Sequence, residues 1–328
     1  MIITNLETWG KLLYDTTSHQ FSYNIESDIS EQPYVTKPIV LNCYLTYKCN
    51  MDCIHCVAKD METVNDTGII VTDSLIERIN KSPFMVVVIT GGEPLLPECE
   101  SRLIDFVDGM RNKGIVIDTN GLIMPSSRLL KYLVNKNILL RISLDSSVPK
   151  HESNLRVLPN DKNKRKSKSA YYRKIDILEE LIKNNVRVSI QSVLYKKNID
   201  SIFNLMDYIK DRNINSWYIQ RLIPTYKLKP TGKRGKDEPF FLEAEVYEDI
   251  IAKLKSLSKE CSVECITKKD RRHNCVFIMI NSGLIYTTSD TGYQRVFIGK
   301  IGEINNYFEL VSASEHSVRY YCNREEVI

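Results

Sequence analysis

The most informative stretch of this chain is residues 40–56, which read VLNCYLTYKCNMDCIHC. Its apolar first part predicts a short buried strand over Ile39–Leu45. Directly after that strand, the pattern C-x3-C-x2-C places Cys49, Cys53 and Cys56 on one loop. Thiolates are the usual protein ligands of iron–sulfur clusters and of structural zinc. The stretch therefore predicts a strand that leads into a metal-binding loop.

The spacing alone leaves two kinds of metal centre open. A structural zinc site normally has four ligands, so three cysteines on one loop indicate a centre with one open position. His55 is a candidate fourth ligand, but it lies between two cysteines on a tight loop, where its ring is not expected to reach the same metal. A zinc knuckle remains the alternative to an iron–sulfur centre.

From residue 38 onward, short apolar runs alternate with segments of helical periodicity. The predicted strands are Ile39–Leu45, Phe84–Thr90, Ile115–Asp118, Leu139–Leu144, Arg187–Leu194 and Trp217–Leu222. The predicted helices are Asp73–Asn80, Glu98–Lys113 with Gly114 as its stop signal, Ser127–Asn135, Tyr171–Asn184 and Ile199–Arg212. Repeated β-α units predict a parallel sheet, either doubly wound or a full or partial barrel, with its chemistry at the C-terminal strand ends.

The regions on either side of these repeats have a different character. Before them, Trp9–Tyr23 predicts a hairpin, and about 38 residues leave no room for a separate leader-binding domain. After them, Pro224–Pro239 has the composition of a linker. A helix over Leu242–Ser258 and a hairpin over Val276–Thr287 are predicted next. We therefore expect an N-terminal extension (1–37), a core (38–223) and a C-terminal region (224–328).

The composition is that of a globular protein, with 43% hydrophobic and 26% charged residues in a chain of 328. No apolar run has the length of a membrane span, and the first residues carry no secretory signal. Nine cysteines without such a signal indicate a reducing, cytoplasmic location, where clustered cysteines bind metal more often than they form disulfides. The net charge of +4 identifies no partner by itself.

A second motif follows the second predicted strand, which runs into Gly91-Gly92-Glu93-Pro94. Two glycines let the backbone approach a ligand closely, and the Glu93 carboxylate is suited to hold an ammonium group. An ordinary turn would be the plain interpretation of Gly-Gly-Glu-Pro. Its place one β-α unit after the cysteine loop favours a ligand site instead.

These two motifs together resemble those of the radical S-adenosylmethionine (SAM) superfamily, and the resemblance covers about residues 38–223. The resemblance implies an α/β fold, a partial (β/α)6 barrel. It also implies that Cys49, Cys53 and Cys56 bind a [4Fe–4S] cluster whose fourth iron is chelated by the amino and carboxylate groups of SAM. Reduction of the cluster would then cleave SAM to a 5′-deoxyadenosyl radical, which abstracts a substrate hydrogen.

The resemblance extends to other strand ends. It implies contacts with the methionyl amino group by Gly91, Gly92 and Glu93, and further SAM contacts by Asn120 of Thr119-Asn120-Gly121, Ser143 of Ser143-Leu144-Asp145, Gln191, Ser192 and Ile219 within Tyr218–Arg221. It places His55 near the adenine. For each single polar residue, a capped strand end is the structural alternative.

The C-terminal region is similar to the SPASM/Twitch extension of some radical SAM enzymes. The carriers of this resemblance are Cys275, the hairpin glycine Gly283 and the stretch Phe297-Ile-Gly-Lys-Ile-Gly. The family's cysteine after the hairpin is replaced by Thr288. A second Fe–S cluster, held by Cys261, Cys265, Cys275 and Cys322, is therefore an expectation beside a degenerate extension with free thiols, whereas Cys43 is expected in the core.

Lysine and arginine concentrate in three loops. Residues 151–174 contain eight Lys/Arg and two Asp/Glu, and Tyr226–Lys236 and Lys268–Arg272 add further cations. On the barrel's active-site face, the first two loops would form a positive rim that attracts an anionic substrate. A solvated insert is the alternative, and without interleaved aromatic residues we expect no nucleic-acid partner.

The leading hypothesis is a radical SAM enzyme that modifies a peptide, because SPASM/Twitch extensions are frequent in peptide maturases. The first alternative is a radical SAM dehydratase or epimerase acting on a small anionic metabolite, such as a nucleotide or sugar. A non-catalytic Fe–S or zinc scaffold is the alternative of another class. The enzyme hypotheses imply an electron donor such as flavodoxin or ferredoxin, and no membrane partner.

Overall fold

The structure, a computed structural model, describes residues 1–7, 10–25, 39–56, 58, 68–69, 71–223, 240–259, 263–267, 276–280, 283–288 and 295–301. The chain forms two compact units. The first comprises Met1–Thr46, Asp66–Ile117 and Lys269–Ile328, and the second comprises Tyr47–Asn65 and Asp118–Lys268. Both boundaries of the predicted core, at 37/38 and 223/224, touch residues outside the described ranges, so the predicted domain division stays a prediction.

A small antiparallel sheet opens the first unit. Its strands β1 (Ile2–Glu7), β2 (Gly10–Asp15) and β3 (Gln20–Ile25) lie in the order β1-β2-β3. The β2–β3 turn is closed by Asp15, whose carboxylate accepts from the Thr17 N–H at 2.8 Å. The hairpin predicted from the sequence is therefore present, and β1 adds a strand that was not predicted.

The larger sheet of the first unit contains β4 (Val40–Thr46), β5 (Val86–Gly91), β6 (Gly114–Thr119), β11 (Val276–Ile280), β12 (Leu284–Thr288) and β13 (Arg295–Lys300), in the order β6-β5-β4-β11-β12-β13. Strands β4 to β6 are parallel, as the apolar runs predict. The C-terminal hairpin is confirmed, and its first strand pairs in parallel with β4.

Two helices cover the strands of the first unit. Helix α1 (Asp73–Lys81) begins at Thr72, whose hydroxyl accepts from the Leu75 N–H, and it buries Leu75 and Ile79. Helix α2 (Glu100–Asp108) follows a 3-10 turn, Pro97–Cys99. The predicted helix Glu98–Lys113 was too long, because the chain turns at Gly109 and Gly114 already belongs to β6.

The second unit contains four parallel strands, β7 (Leu139–Ser143), β8 (Arg187–Leu194), β9 (Ser216–Arg221) and β10 (Glu264–Thr267), in that order. Its helices are α3 (Ser127–Asn135), α4 (Pro149–Leu155), α5 (Arg165–Lys183), α6 (Ile199–Ile209) and α7 (Ala244–Ser258). The sequence predicted neither α4 nor β10, and it placed the start of α5 six residues late. In the part of the chain described here, no helix has the length and apolar character to cross a membrane.

Candidate active site

The cysteine loop of the second unit is held by the last residue of α4 and the segment that follows it. The Asp52 N–H donates to the Val157 carbonyl at 2.6 Å, and the Ile54 N–H donates to the Leu155 carbonyl at 3.0 Å. Cys49, Cys53 and Cys56 are half-buried on this loop and form no disulfide. A loop tied at alternate residues presents its cysteines in a defined backbone conformation, which lowers the entropy lost when a metal centre binds.

The side-chain amide of Asn120 also holds the cysteine loop. Its Nδ2 donates to Asn50 Oδ1 at 2.6 Å and lies 3.9 Å from Cys49 Sγ. Its Oδ1 accepts from the Leu122 N–H at 2.9 Å, which fixes the amide orientation. The sequence identified Asn120 as a residue in contact with SAM, and the contacts observed for it are with the cysteine loop.

We expect an Asn120→Ala variant to loosen the cysteine loop without unfolding the protein. The lost hydrogen bonds should reduce the free energy that holds the loop in its conformation by about 1 kcal/mol. Alkylation of the loop thiols in the metal-free protein should become several-fold faster, as measured by mass spectrometry of trapped thiols. Asn112→Ala, a change in a turn of the other unit, is the control, and an unchanged alkylation rate in Asn120→Ala would contradict this role.

The three thiols of the loop fit a [4Fe–4S] cluster that keeps one iron open for another ligand. Burial raises the pKa of Cys53 to about 12, so this thiol stays protonated until a bound metal displaces its proton. Among the described residues, which include all three loop cysteines and His55, no three metal-binding side chains converge on one ion position. The cysteines of a [4Fe–4S] cluster each bind a different iron and need no common point.

A buried ion network lies directly behind the loop. The Arg156 guanidinium donates two hydrogen bonds to Asp145, at 2.8 and 2.9 Å, and lies 3.7 Å from Glu152. Lys174 Nζ donates to Glu152 Oε1 at 2.5 Å and to the Ser143 carbonyl at 2.8 Å. All four ionic side chains are at least 92% buried. The sequence counted Arg156 and Lys174 in an exposed positive rim, and that part of the prediction was wrong.

Asp145 is the centre of this network. Its carboxylate also accepts from the Val193 N–H at 2.9 Å, and its carbonyl accepts from Asn198 Nδ2 at 2.6 Å. Burial opposes ionisation of Asp145, but the charge and hydrogen bonds of Arg156 outweigh it and lower its pKa. Asp145 therefore joins the ends of β7 and β8 to the segment that carries the cysteine loop.

The other residues of the second unit that were predicted to contact SAM differ in their hydrogen bonding. The amide oxygen of Gln191 is buried and has no hydrogen-bond partner among the described residues, which is expected of a group that awaits a ligand or a water. The buried Nδ1 of His55 is in the same state. Ser192 is instead held by the Trp217 indole N–H and the Leu144 carbonyl, on the opposite face of β8. The sequence analysis expected both Gln191 and Ser192 to contact SAM. Because they lie on opposite faces of β8, they do not face the same ligand.

Ser143 and Ile219 contribute backbone carbonyls to these contacts. The Ser143 carbonyl accepts from Lys174, and the Ile219 carbonyl accepts from the Tyr247 hydroxyl at 3.1 Å. Ile219 itself is fully buried. As SAM contacts, Gly91, Gly92, Glu93, Asn120, Ser143, Gln191 and Ile219 stay predictions, and so do Cys49, Cys53 and Cys56 as cluster ligands.

The Gly-Gly-Glu motif of the first unit makes a close backbone crossing. Gly91 has a φ of +125°, and a Cβ added to it would lie 2.2 Å from the Thr46 carbonyl oxygen. The Gly92 N–H donates to that same oxygen at 2.6 Å. Glu93 is fully buried, and its Oε1 accepts from the Leu95 N–H at 3.0 Å. The motif thus fixes the end of β5 against the end of β4, just before the cysteine loop begins.

A Gly91→Ala variant should be destabilised, because the backbone conformation and the Thr46 carbonyl both exclude a Cβ. The strained conformation alone costs about 1–3 kcal/mol, which a denaturant titration resolves. Gly109→Ala is the control for the backbone conformation, since its φ is negative and the nearest atoms to an added Cβ belong to the Ile76 side chain, at 2.5 Å, and not to the backbone. Equal losses in the two variants would contradict the assignment.

The cysteines outside the loop are only partly described. Cys43 is buried in β4, as expected, and Cys99, which the sequence analysis did not consider, is buried in the 3-10 turn. Cys265 is buried in β10, whereas Cys261, Cys275 and Cys322 lie outside the described residues. The auxiliary cluster and the SPASM/Twitch extension therefore stay predictions.

Comparison with known proteins agrees with the motif analysis. The radical SAM superfamily matches residues 43–209, about half of the chain. The AdoMet-dependent heme synthase of Methanosarcina barkeri is 23% identical over 232 residues, 69% of this chain and 60% of the relative. The GTP 3′,8-cyclase of Helicobacter pylori is 27% identical over 218 residues, 63% of each chain. This chain thus spans about three fifths of the length of these curated relatives.

Solved structures show the same fold. Streptococcus suis SuiB bound to its precursor peptide SuiA has a TM-score of 0.63, 14% identity, and coverage of 97% of this chain and 89% of SuiB. Native anSMEcpe with bound AdoMet has a TM-score of 0.61, 16% identity, and coverage of 86% and 82%. The predicted α/β partial-barrel class is confirmed, and the prediction of a [4Fe–4S] cluster and SAM is confirmed at the level of the family. This chain belongs to the radical SAM superfamily.

Proposed function

We propose that this radical SAM enzyme modifies a peptide. The observation that carries the proposal is the extent of the structural likeness to enzymes solved with peptides. SuiB with SuiA and anSMEcpe with the Cp18Cys peptide match most of this chain, including parts outside the (β/α) repeats. Because the identities are low, this likeness supports the substrate class without fixing the peptide sequence.

The second candidate is a reaction on a small anionic metabolite. Three GTP 3′,8-cyclases are 26–28% identical to this chain over 211–225 residues, and GTP is a nucleotide. These matches cover about two thirds of the chain. The scaffold hypothesis is set aside, because the chain belongs to a family of enzymes.

The side chains divide into three proposed roles. Cys49, Cys53 and Cys56 hold the [4Fe–4S] cluster, and Asn120 orients their loop. The residues that bind and orient SAM are Gly91, Gly92, Glu93, Ser143, Gln191 and Ile219. The buried amide oxygen of Gln191, which has no hydrogen-bond partner in the part of the chain that the structure describes, supports this role. When bound, the cluster and SAM supply a carbon radical that abstracts hydrogen from an unactivated C–H bond. The electron donor and the cytoplasmic location remain part of this proposal.

A hydrogen-transfer experiment tests the substrate class. Cells are grown in deuterated medium, and their short peptides and their nucleotides are separated into two fractions. Each fraction is incubated anaerobically with reconstituted enzyme, unlabelled SAM and dithionite. Deuterium should appear in 5′-deoxyadenosine only with the peptide fraction, and protease treatment of that fraction should abolish it. Transfer from the nucleotide fraction alone would overturn the proposal in favour of the second candidate.

A further inference from the structure

The entrance to α5 carries a dense group of cations, which we call the cationic patch. It consists of Lys162, Lys164, Arg165, Lys166, Lys168 and Lys197, all exposed except the half-buried Lys164. Burial lowers the pKa of Lys164, and the charges of Lys197 and Lys168 lower it further, so these three ammonium groups lie within range of one another. Their mutual repulsion favours a negatively charged partner.

The positive charges of the patch do not stabilise helix α5. The first turn of α5 contains no acidic residue, although the amino end of a helix favours negative charge. Asp161 interacts with the charge of Lys166 and so offsets part of the charge of the patch. Asp161 is engaged by the Ser167 N–H and hydroxyl, both at 2.6 Å, and Asp200 is the exposed acid of the first turn of α6. A charge pattern that opposes local stability is typical of an interaction surface.

The patch lies close to the cysteine loop within the second unit. Lys164 Nζ donates to the Asn154 carbonyl at 3.4 Å, and the next carbonyl, that of Leu155, accepts from the Ile54 N–H of the loop at 3.0 Å. On the other side, Lys197 Nζ lies 4.7 Å from the centre of the Phe240 ring. Ile54 and Phe240 pack against one apolar cluster, formed by Leu155, Val193, Tyr195 and Leu222. One layer of packed side chains thus separates the patch from the residues beside Cys53.

From this placement we infer that the cationic patch is the docking surface for a small acidic protein that carries one electron to the cluster. The inference rests on the proposed function, which requires an electron that this chain does not itself supply. One electron leaves the carrier, which is oxidised, and enters the cluster, which is reduced. No bond is formed or broken and no proton is transferred in this step.

Exposed lysines and arginines on a helix surface suit such a carrier better than a substrate. Electron-carrier complexes are small and transient, and charge steers their encounter. A substrate whose C–H bond is attacked must instead enter a site that excludes water. The proximity of the cysteine loop adds the short path that electron transfer requires.

The test compares two charge reversals with equal chemistry. Arg165→Glu with Lys168→Glu reverses two exposed charges of the patch, and Arg128→Glu with Lys131→Glu reverses an exposed pair at the start of α3. Both pairs are three residues apart near a helix N-terminus, where glutamate favours the helix, so neither is expected to impair folding. The probe is reduced flavodoxin, regenerated by its NADPH-dependent reductase, with dithionite as a non-protein reductant.

Two readouts are taken on the wild type and on both variants. The first is the binding of fluorescently labelled flavodoxin by anisotropy, and the second is the rate of 5′-deoxyadenosine formation with either reductant. In the patch variant, flavodoxin binding and the flavodoxin-driven rate should each fall about tenfold at low salt, and the difference should shrink as salt is added. The control variant should bind and react as the wild type does, and the dithionite-driven rate of the patch variant should be unchanged.

Other outcomes separate this inference from the proposed function. Unchanged flavodoxin binding in the patch variant would overturn the inference. A rise in the KM for a peptide with dithionite as reductant would also overturn it, since the patch would then belong to the substrate. If the wild type forms no 5′-deoxyadenosine with dithionite, the proposed function fails, and the anisotropy measurement still decides whether the patch binds the carrier.

Discussion

Replacement of Cys49, Cys53 and Cys56 by alanine should abolish iron binding by the loop and all reductive cleavage of SAM. The three thiols lie on one loop that backbone hydrogen bonds tie to Leu155 and Val157, so its conformation does not depend on the thiols. After anaerobic reconstitution, the wild type should hold about four irons and the variant none. Activity should fall below detection, because the proposed function assigns the transfer of the electron to SAM to the cluster on this loop.

The matched control for this variant is Cys99→Ala, which removes a buried thiol far from the loop in sequence. It should keep both iron and activity. A wild type with about eight irons, of which four survive in the triple variant, would establish the auxiliary cluster predicted for the C-terminal region. Full retention of iron in the triple variant, or zinc in place of iron in the wild type, would contradict the ligand assignment.

Replacement of Arg156 by methionine should cause the largest loss of stability among single substitutions in the site. The guanidinium is 92% buried and holds the fully buried Asp145 carboxylate through two hydrogen bonds. Methionine fills similar volume but leaves that carboxylate without its cation. Breaking a buried ion pair from one side costs about 3–5 kcal/mol, which a denaturant titration at neutral pH measures.

The pH dependence of this loss identifies its cause. In the wild type the pKa of Asp145 is lowered, so its contribution is present at neutral pH and is lost only as the pH falls through that lowered pKa. In Arg156→Met the Val193 N–H still donates to Asp145, but without the guanidinium the effect of burial outweighs it, and the pKa of Asp145 should rise above the unfolded value of about 4. The folded variant then binds more protons than the unfolded chain, and its stability should fall as the pH rises. The gap between wild type and variant should therefore be widest at neutral pH and shrink in acid.

Two control variants test whether the loss comes from the unpaired carboxylate. Arg212→Met removes a cation from Glu179 in a pair that is partly exposed, and it should cost only about 0–1 kcal/mol. Asp145→Asn combined with Arg156→Met should recover part of the loss, since no unpaired charge is then left in the core. A loss for Arg156→Met no greater than that for Arg212→Met would show that the network is not needed for stability.

Most features that depend on local sequence patterns were predicted correctly, and most features that depend on contacts between distant residues were not. Strand β8 (Arg187–Leu194) and helix α3 (Ser127–Asn135) begin and end where their local patterns predict. The other core strands agree within two residues. Errors occurred where a local pattern continues past the point at which the chain turns, as in the helix predicted to Lys113. The short helix α4 was missed because seven residues show too little periodicity.

The sequence by itself determined the family, the cysteine loop and the positions of the core strands along the chain, because each of these depends on spacing between residues near one another in the chain. Only the tertiary structure decided that Arg156 and Lys174 turn inward while Lys168 and Lys197 stay at the surface. The same is true of β11, which pairs with β4 although some 230 residues separate them. Whether a charge is buried depends on the carboxylates that other segments bring to it, and whether a strand joins a sheet depends on the edge it meets. Neither the carboxylates around a buried charge nor the edge that a strand joins can be read from the residues adjacent in the sequence.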